Sequence, residues 1–529
     1  MRQRTTIALF FSMLTIAGCQ QELADRYLNP DRTGDPTLDK FFTKLLDDNR
    51  VRPSYWEIST FVNWHIGVYS QSVGFLNSEV MYQQNGQYVQ DRWDDFYRPS
   101  ANGSGVVAHF REMERLYDAM GTEERKKWEV YMQAARIVYY DHAIEMVDLW
   151  GDIPLSEAGL LNKTGEIVYA KFDDAAGIYA EANTALAEAA LYFQSAAIPD
   201  ASRSGFVRQD ILLMGDVGRW QRYANTLRLR ALMRTSFVNE AAAEASVMEM
   251  LTHEGLYPLL SSGTYVAGTS DVLLTPLTSF TGDLHDAFRD WTNFPAPYFL
   301  LEQVLKPAND PRIEVLFDKY GAIENNVFRP NTDYNAMPLT LTRVDQQRGL
   351  GNYAILDSAT FLYNSKLPGV VMTAAEADFL KAEAFERWGG GDAAHSYEQG
   401  IKHSIEFYYY LNSLNILTRL PLVHPTTAAL ETFVHDTPAI HYEGTQTERL
   451  AKIWTQKWAH LGWLQAAEAW AEQRRTNYPQ LSFFEAPLSG FAQPPTRLTY
   501  PAKEKTYNVN YSTVQDDDVR TTRIFWDLN

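Results

Sequence analysis

Asp148-Leu149-Trp150-Gly151-Asp152-Ile153-Pro154-Leu155-Ser156-Glu157-Ala158 closes a long helical pattern and opens a turn. Upstream, the periodicity predicts one helix from Glu123 to about Leu149, with Thr122 placed to cap it and acidic residues in its first turn. Gly151 stops that helix, and Pro154 prevents its resumption. Asp152 is positioned to tie the turn that follows. Three further segments have the same character of structural joints. They are Trp220-Gln221-Arg222-Tyr223-Ala224-Asn225-Thr226-Leu227-Arg228-Leu229-Arg230, then Asn309-Asp310-Pro311-Arg312 with Phe317, and Thr455-Gln456-Lys457-Trp458 with Glu468-Ala469-Trp470 and Arg474-Arg475-Thr476-Asn477-Tyr478-Pro479 downstream. Arg228 and Arg230 are candidates for ion pairs with carboxylates on neighbouring helices. Trp458 and Trp470 are suited to filling space between helices.

Helical spacing extends over most of the chain. It predicts a short amphipathic piece at Asp39 to Leu46 and helices at Val106 to Met120, Asp173 to Phe193, Trp220 to Phe237 and Ala241 to His253. Helix returns at Thr373 to Trp388, Ala393 to Leu411 and Thr447 to Glu472. Residues 258–370 are richer in Gly, Pro, Thr, Asn and Tyr, and read as long loops with a few short strands and helices. The last fifty residues are also loop-rich. In the stretch 374–410, one helix, the turn Trp388-Gly389-Gly390-Gly391-Asp392 and a second helix resemble a tetratricopeptide unit. Ala382, Ala384 and Gly400 are small enough to let the two helices approach closely. The Gly-rich turn is not a phosphate cradle, since no Lys-Ser/Thr follows it and no strand precedes it.

In this order and at these intervals, the four joint segments resemble the SusD/RagB family of nutrient-binding outer-membrane lipoproteins, and within it the SusD-like branch. The turn at 148–158 and the run from Gln456 to Pro479 carry the most specific part of the likeness, which spans about residues 40 to 480. The resemblance implies an all-α fold, with tetratricopeptide-like helix pairs packed against an irregular, loop-rich ligand-binding face. It implies a single domain over 38–529. It also implies a cell-surface glycan-binding protein that delivers oligosaccharides to a SusC-like TonB-dependent transporter. The alternative is a lid of the same build that serves peptides or other cargo, or has little affinity of its own.

The N-terminus agrees with an exported, anchored protein. Arg2 and Arg4 form a basic head, Ile7 through Ile16 a short apolar core, and Ala17-Gly18 a small-residue approach to Cys19. The apolar run has the length of a signal-peptide core and is too short for a membrane span. Leu14-Thr15-Ile16-Ala17-Gly18-Cys19 resembles the lipobox of bacterial lipoproteins. Cys19 is the only cysteine, so no disulfide can form within the chain. The expectation is a signal peptide over 1–18, lipid on Cys19, and a polar tether over 19–37 that leads from the outer membrane to the fold. The formal net charge of −19 argues against nucleic acid as a partner.

Saccharides present apolar C–H faces rimmed by hydroxyls, so a binder needs open aromatic faces beside amides or other hydrogen-bonding groups. Two stretches combine these residues. Tyr82 to Trp93 interleaves tyrosines with amides and shows no helical stripe. Asp290 to Tyr298 places Trp291 and Asn293 before Pro295 and Pro297. In the SusD/RagB family, ligand contacts generally come from loops in these two parts of the chain. Tyr82, Tyr88 and Trp291 are the candidate aromatic platform, with Asn85 and Asn293 as polar neighbours. Trp93 is a further candidate, although its spacing with Tyr97 favours burial. The chain contains no HExxH, GxSxG or Walker loop. The His142/Glu145 pair reads as a packing contact rather than a metal site. An enzyme, a cofactor and a metal are therefore not expected.

Overall fold

The computed structural model describes residues 37–528 apart from 101–102, 196–197, 276–285, 288–294 and 416–421. The lipobox, Cys19 and nearly all of the tether lie outside the described residues. Helices dominate, and the strands among the described residues form two-stranded antiparallel pairs, such as Val272–Leu274 with Gly369–Met372 and Gly321–Glu324 with Val327–Pro330.

The central element is the helix Thr122–Trp150, whose residues from Val130 onward are all buried except Arg136. It ends where the sequence predicts. Gly151 adopts φ +83°, and its N–H closes onto the Val147 carbonyl. This backbone conformation disfavours any residue with a Cβ. Asp152 Oδ1 accepts the Ala175 N–H at 2.8 Å, which ties the turn to the start of the helix Ala175–Ser195. Thr122 is the first helical residue rather than the cap. Gly121 occupies the cap position, with no side-chain bond.

The unit at 374–410 forms the expected antiparallel pair, Ala374–Trp388 and Ala393–Ser413, capped by the Thr373 and Asp392 side chains. Ala382, Ala384 and Ile401 are fully buried. At Gly400 an added Cβ would lie 2.7 Å from the Phe379 ring, so the close approach requires glycine there. Gly400→Val is expected to lower unfolding stability by about 1–3 kcal/mol through overpacking, although it removes a helix-weakening glycine. Urea denaturation followed by circular dichroism reads this directly.

Two expectations are corrected. Residues 447–472 form two helices, Gln446–Leu461 and Ala466–Thr476, because Gly462 breaks the run at φ +48°, ψ −143°. The stretch from Tyr82 to Trp93 is not a loop throughout. Asn85 caps the helix Gly86–Tyr97 by accepting the Gln87 and Tyr88 N–H groups. Its buried stripe of Val89, Trp93 and Phe96 begins too late for the shorter stretch to display it.

Where the helices Thr122–Trp150, Val217–Arg234, Ala374–Trp388 and Ala466–Thr476 meet, the core contains charge. Arg230 pairs with Glu376 at 2.6 Å and Glu468 at 3.4 Å, and Arg234 forms ion pairs with Asp148, Glu468 and Glu472. Arg228 makes no ion pair among the described residues. Its Nε donates to Asn183 Oδ1 at 2.9 Å. His142 faces Asp48 at 3.1 Å, while Glu145 accepts from Arg50 and Arg92, so both belong to this packing. Trp458 and Trp470 are buried, as space-filling residues should be.

Candidate functional site: an aromatic cleft

Residues Glu57–Ile66 wind as a π-helix, with the Gly67 N–H closing five residues back onto the Val62 carbonyl. Wide turns of this kind are rare and concentrate at functional sites. Two side chains feed its backbone. The Thr60 hydroxyl donates to the Trp56 carbonyl at 2.5 Å, and His65 Nδ1 lies 2.9 Å from the Thr60 carbonyl. Ile58, Phe61 and Ile66 point into the core. Trp56 and Trp64 fall off that stripe and emerge on the opposite side, 57% and 49% exposed.

That side forms one wall of a cleft of about 500 Å³. Tyr55 and Trp56 line it from the turn that leads into the π-helix, Ser59 and Trp64 from the π-helix itself, Phe75 and Leu76 from the loop that follows, and Tyr88 from the helix Gly86–Tyr97. Arg343 and Gln347, on the helix Arg343–Gly349, supply a polar rim. Each indole is braced by a neighbouring ring in a T-shaped contact. Tyr55 meets Trp56 at 5.2 Å and 77°, and Phe75 meets Trp64 at 5.1 Å and 67°. This bracing orients the indole planes while about half of each residue stays open to solvent. The cleft thus offers flat apolar faces, a hydroxyl, an amide and one guanidinium. This combination suits a ligand with apolar faces and a hydroxyl rim, and it lies within the usual size range of ligand sites.

The SusD-like family, described as "Starch-binding associating with outer membrane", matches residues 38–501. The chain belongs to the SusD-like family. Its members are binding proteins rather than enzymes. Solved structures share the fold along nearly the whole chain. One, described as a chitin-binding protein, is 23% identical with a TM-score of 0.71, covering 94% of this chain and 100% of its own. A chitin-binding SusD homolog from Flavobacterium johnsoniae is 20% identical with a TM-score of 0.70, covering 93% and 99%. A SusD homolog from Bacteroides uniformis is 21% identical with a TM-score of 0.69, covering 94% and 100%. No curated protein matches the chain. Among the described residues, no helix of this SusD-like chain is long and apolar enough to cross a membrane.

Against this SusD-like frame, the residues singled out from the sequence separate clearly. Tyr88 is half-buried and lines the cleft. Asn85 is exposed near it, but its side-chain oxygen is used in capping. Tyr82 is 2% exposed, edge-on to Phe483, and Trp93 is 1% exposed among Trp150, Tyr97 and Tyr500. Neither offers a face to a ligand, because Phe483 packs on Tyr82 while Trp150 and Tyr500 enclose Trp93. Trp291 and Asn293 lie outside the described residues. Sequence reasoning missed Trp56 and Trp64. The available signal was two tryptophans eight apart, both off the apolar stripe of Ile58, Phe61 and Ile66.

His65 joins the two walls of the cleft. Nδ1–H donates to the Thr60 carbonyl, and Nε2 accepts the Asn85 N–H at 3.1 Å, which leaves a neutral ring set edge-on to Tyr88 at 6.2 Å. Burial holds its pKa down to about 4, against the opposing hydrogen bond to the Thr60 carbonyl. A histidine kept neutral by folding contributes stability above its unfolded pKa of roughly 6.5 and loses it as pH falls towards 4. Between pH 7 and 4.5 the wild type is expected to lose about 2–3 kcal/mol more than His65→Gln, from urea titrations at both pH values.

Proposed function

We propose that this protein captures neutral oligosaccharides at the outer membrane, in the cleft between Trp56 and Trp64, and passes them to a SusC-like TonB-dependent transporter. The observation that carries this reading is the pair of braced, half-open indoles beside Tyr88 and a mainly uncharged polar rim. The chitin-binding descriptions of two structural relatives and the starch-binding description of the family support the ligand class. With a net charge of −19 and only Arg343 as a formal charge on the rim, neutral glycans are favoured over anionic ones. Trp291 and Asn293 are proposed as further ligand contacts.

Lipid on Cys19 would hold the receptor in the membrane that contains the transporter. This tethering raises the effective concentration of one for the other without a tight interface. The fold over 38–529 is read as a single domain with long insertions.

Isothermal titration of the purified chain with maltooligosaccharides and chitooligosaccharides tests the ligand class. Failure to bind either, with binding of peptides instead, would favour the same lid serving a different cargo. Gentle solubilisation of outer membranes through a C-terminal tag tests the partnership. A TonB-dependent barrel at near one-to-one stoichiometry is expected. The receptor recovered alone would overturn it.

A further inference from the structure

A second pocket of about 290 Å³ opens between the helix-like segment Phe299–Leu305, the helix Gln446–Leu461 and the turn at 478–480. It shares no residue with the aromatic cleft. Gln456 forms part of its wall and is 3% exposed. Its Oε1 accepts from Arg312 Nη2 at 2.6 Å, which orients the amide. The Nε2 group has no hydrogen-bond partner among the described residues. This N–H₂ is free to donate to a ligand acceptor in the pocket.

The rest of the wall has the same chemistry. Gln303 and Gln480 are exposed and Thr455 is half-buried, and their side chains have no hydrogen-bond partners among the described residues. Tyr478 is half-buried, with its ring held 5.5 Å from Trp454 at 37°. The one cation, Lys452, is engaged by the His441 and Glu443 carbonyls. The pocket therefore combines neutral donors and acceptors with an aromatic ring and lacks a free charge for an anion. Its volume lies at the small end of ligand sites.

We propose that this pocket is a second saccharide site, of one- or two-residue size, built on Gln456, Thr455, Gln303, Gln480 and Tyr478. The ligand class rests on the function proposed above, while the site does not depend on the cleft. Two sites on one receptor would let a long chain engage twice, which raises avidity when the span between them is matched.

The test is isothermal titration with maltotriose and with N,N′-diacetylchitobiose. It uses the wild type, the cleft variant Trp56→Ala/Trp64→Ala, and that variant carrying Thr455→Val/Gln480→Ala. The last two substitutions leave the Arg312–Gln456 bond intact, so the core is not disturbed. The expected result is residual one-to-one binding by the cleft variant that weakens roughly tenfold when the pocket is also altered, the effect of losing one or two hydrogen bonds. Wild-type binding that vanishes in the cleft variant overturns the second site and leaves the cleft reading standing. Cleft-variant binding equal to wild type, and lost with the pocket changes, supports the second site and overturns the cleft reading. No binding by the wild type to either probe overturns both.

Discussion

Trp56→Ala/Trp64→Ala is expected to reduce oligosaccharide affinity roughly a thousandfold, with each single change costing about 2 kcal/mol, the scale of a tryptophan hot spot. The two rings are 57% and 49% exposed, and each meets one neighbouring ring in a T-shaped contact. Their truncation removes ligand surface without opening a core cavity, so unfolding stability should move by less than about 1 kcal/mol. Titration calorimetry and urea denaturation of the same preparations separate the two effects. Unchanged affinity in the double variant would refute the cleft as the main site. Trp93→Ala is the contrasting control. Its ring is buried against Trp150 and Tyr500, so its loss should appear in stability at about 3–5 kcal/mol.

The second large effect belongs to the charged core. Arg475 is fully buried and grips Glu383 with two parallel bonds of 2.8 and 2.6 Å, and Glu472 at 2.8 Å. Glu472 also faces Lys457 at 3.1 Å and Arg234 at 3.1 Å. The Arg475, Lys457 and Arg234 cations hold the Glu472 carboxyl well below the usual range despite its burial. Arg475→Ala would leave Glu383 short of its main partner in a dry interior. The expected loss is about 3–5 kcal/mol, seen as a lower urea midpoint and melting temperature. Arg475→Met combined with Glu383→Leu should recover much of it, because removing both charges also removes the uncompensated one. If the single and double variants lost the same stability, the lattice would not be an ion-pair device and packing volume alone would explain the effect.

These two regions differ in how far the sequence discloses them. The end of the helix Thr122–Trp150 was readable at Gly151 and Asp152, because a positive-φ residue and a side-chain tie act within a few positions of where they stand. The helix pair 374–413 was readable for the same reason, through the Gly-rich turn at 388–392 and the small residues Ala382, Ala384 and Gly400. The break at Gly462 was missed, since the hydrophobic period continues past it and only the backbone angle marks the change. Arg228 and Arg230 lie two apart on one helix and look equivalent as a string of letters. Only Arg230 turns towards Glu376 and Glu468, while Arg228 meets Asn183.

The site was less legible still. Tyr88 lines the cleft, but Tyr82 and Trp93 are core, and the exposed indoles come from a segment with no amide-rich signature. The cleft joins residues 55–64, 75–76, 88 and 343–347, and no local pattern links positions so far apart. By itself, the sequence determined the helical class, most helix boundaries, the paired-helix unit and the family resemblance, because capping, turn chemistry and periodicity are local properties of the backbone. The tertiary structure alone decided which aromatic rings face water and which carboxylates meet which guanidiniums. Exposure and pairing are set by the faces that neighbouring elements cover, and those neighbours come from anywhere in the chain.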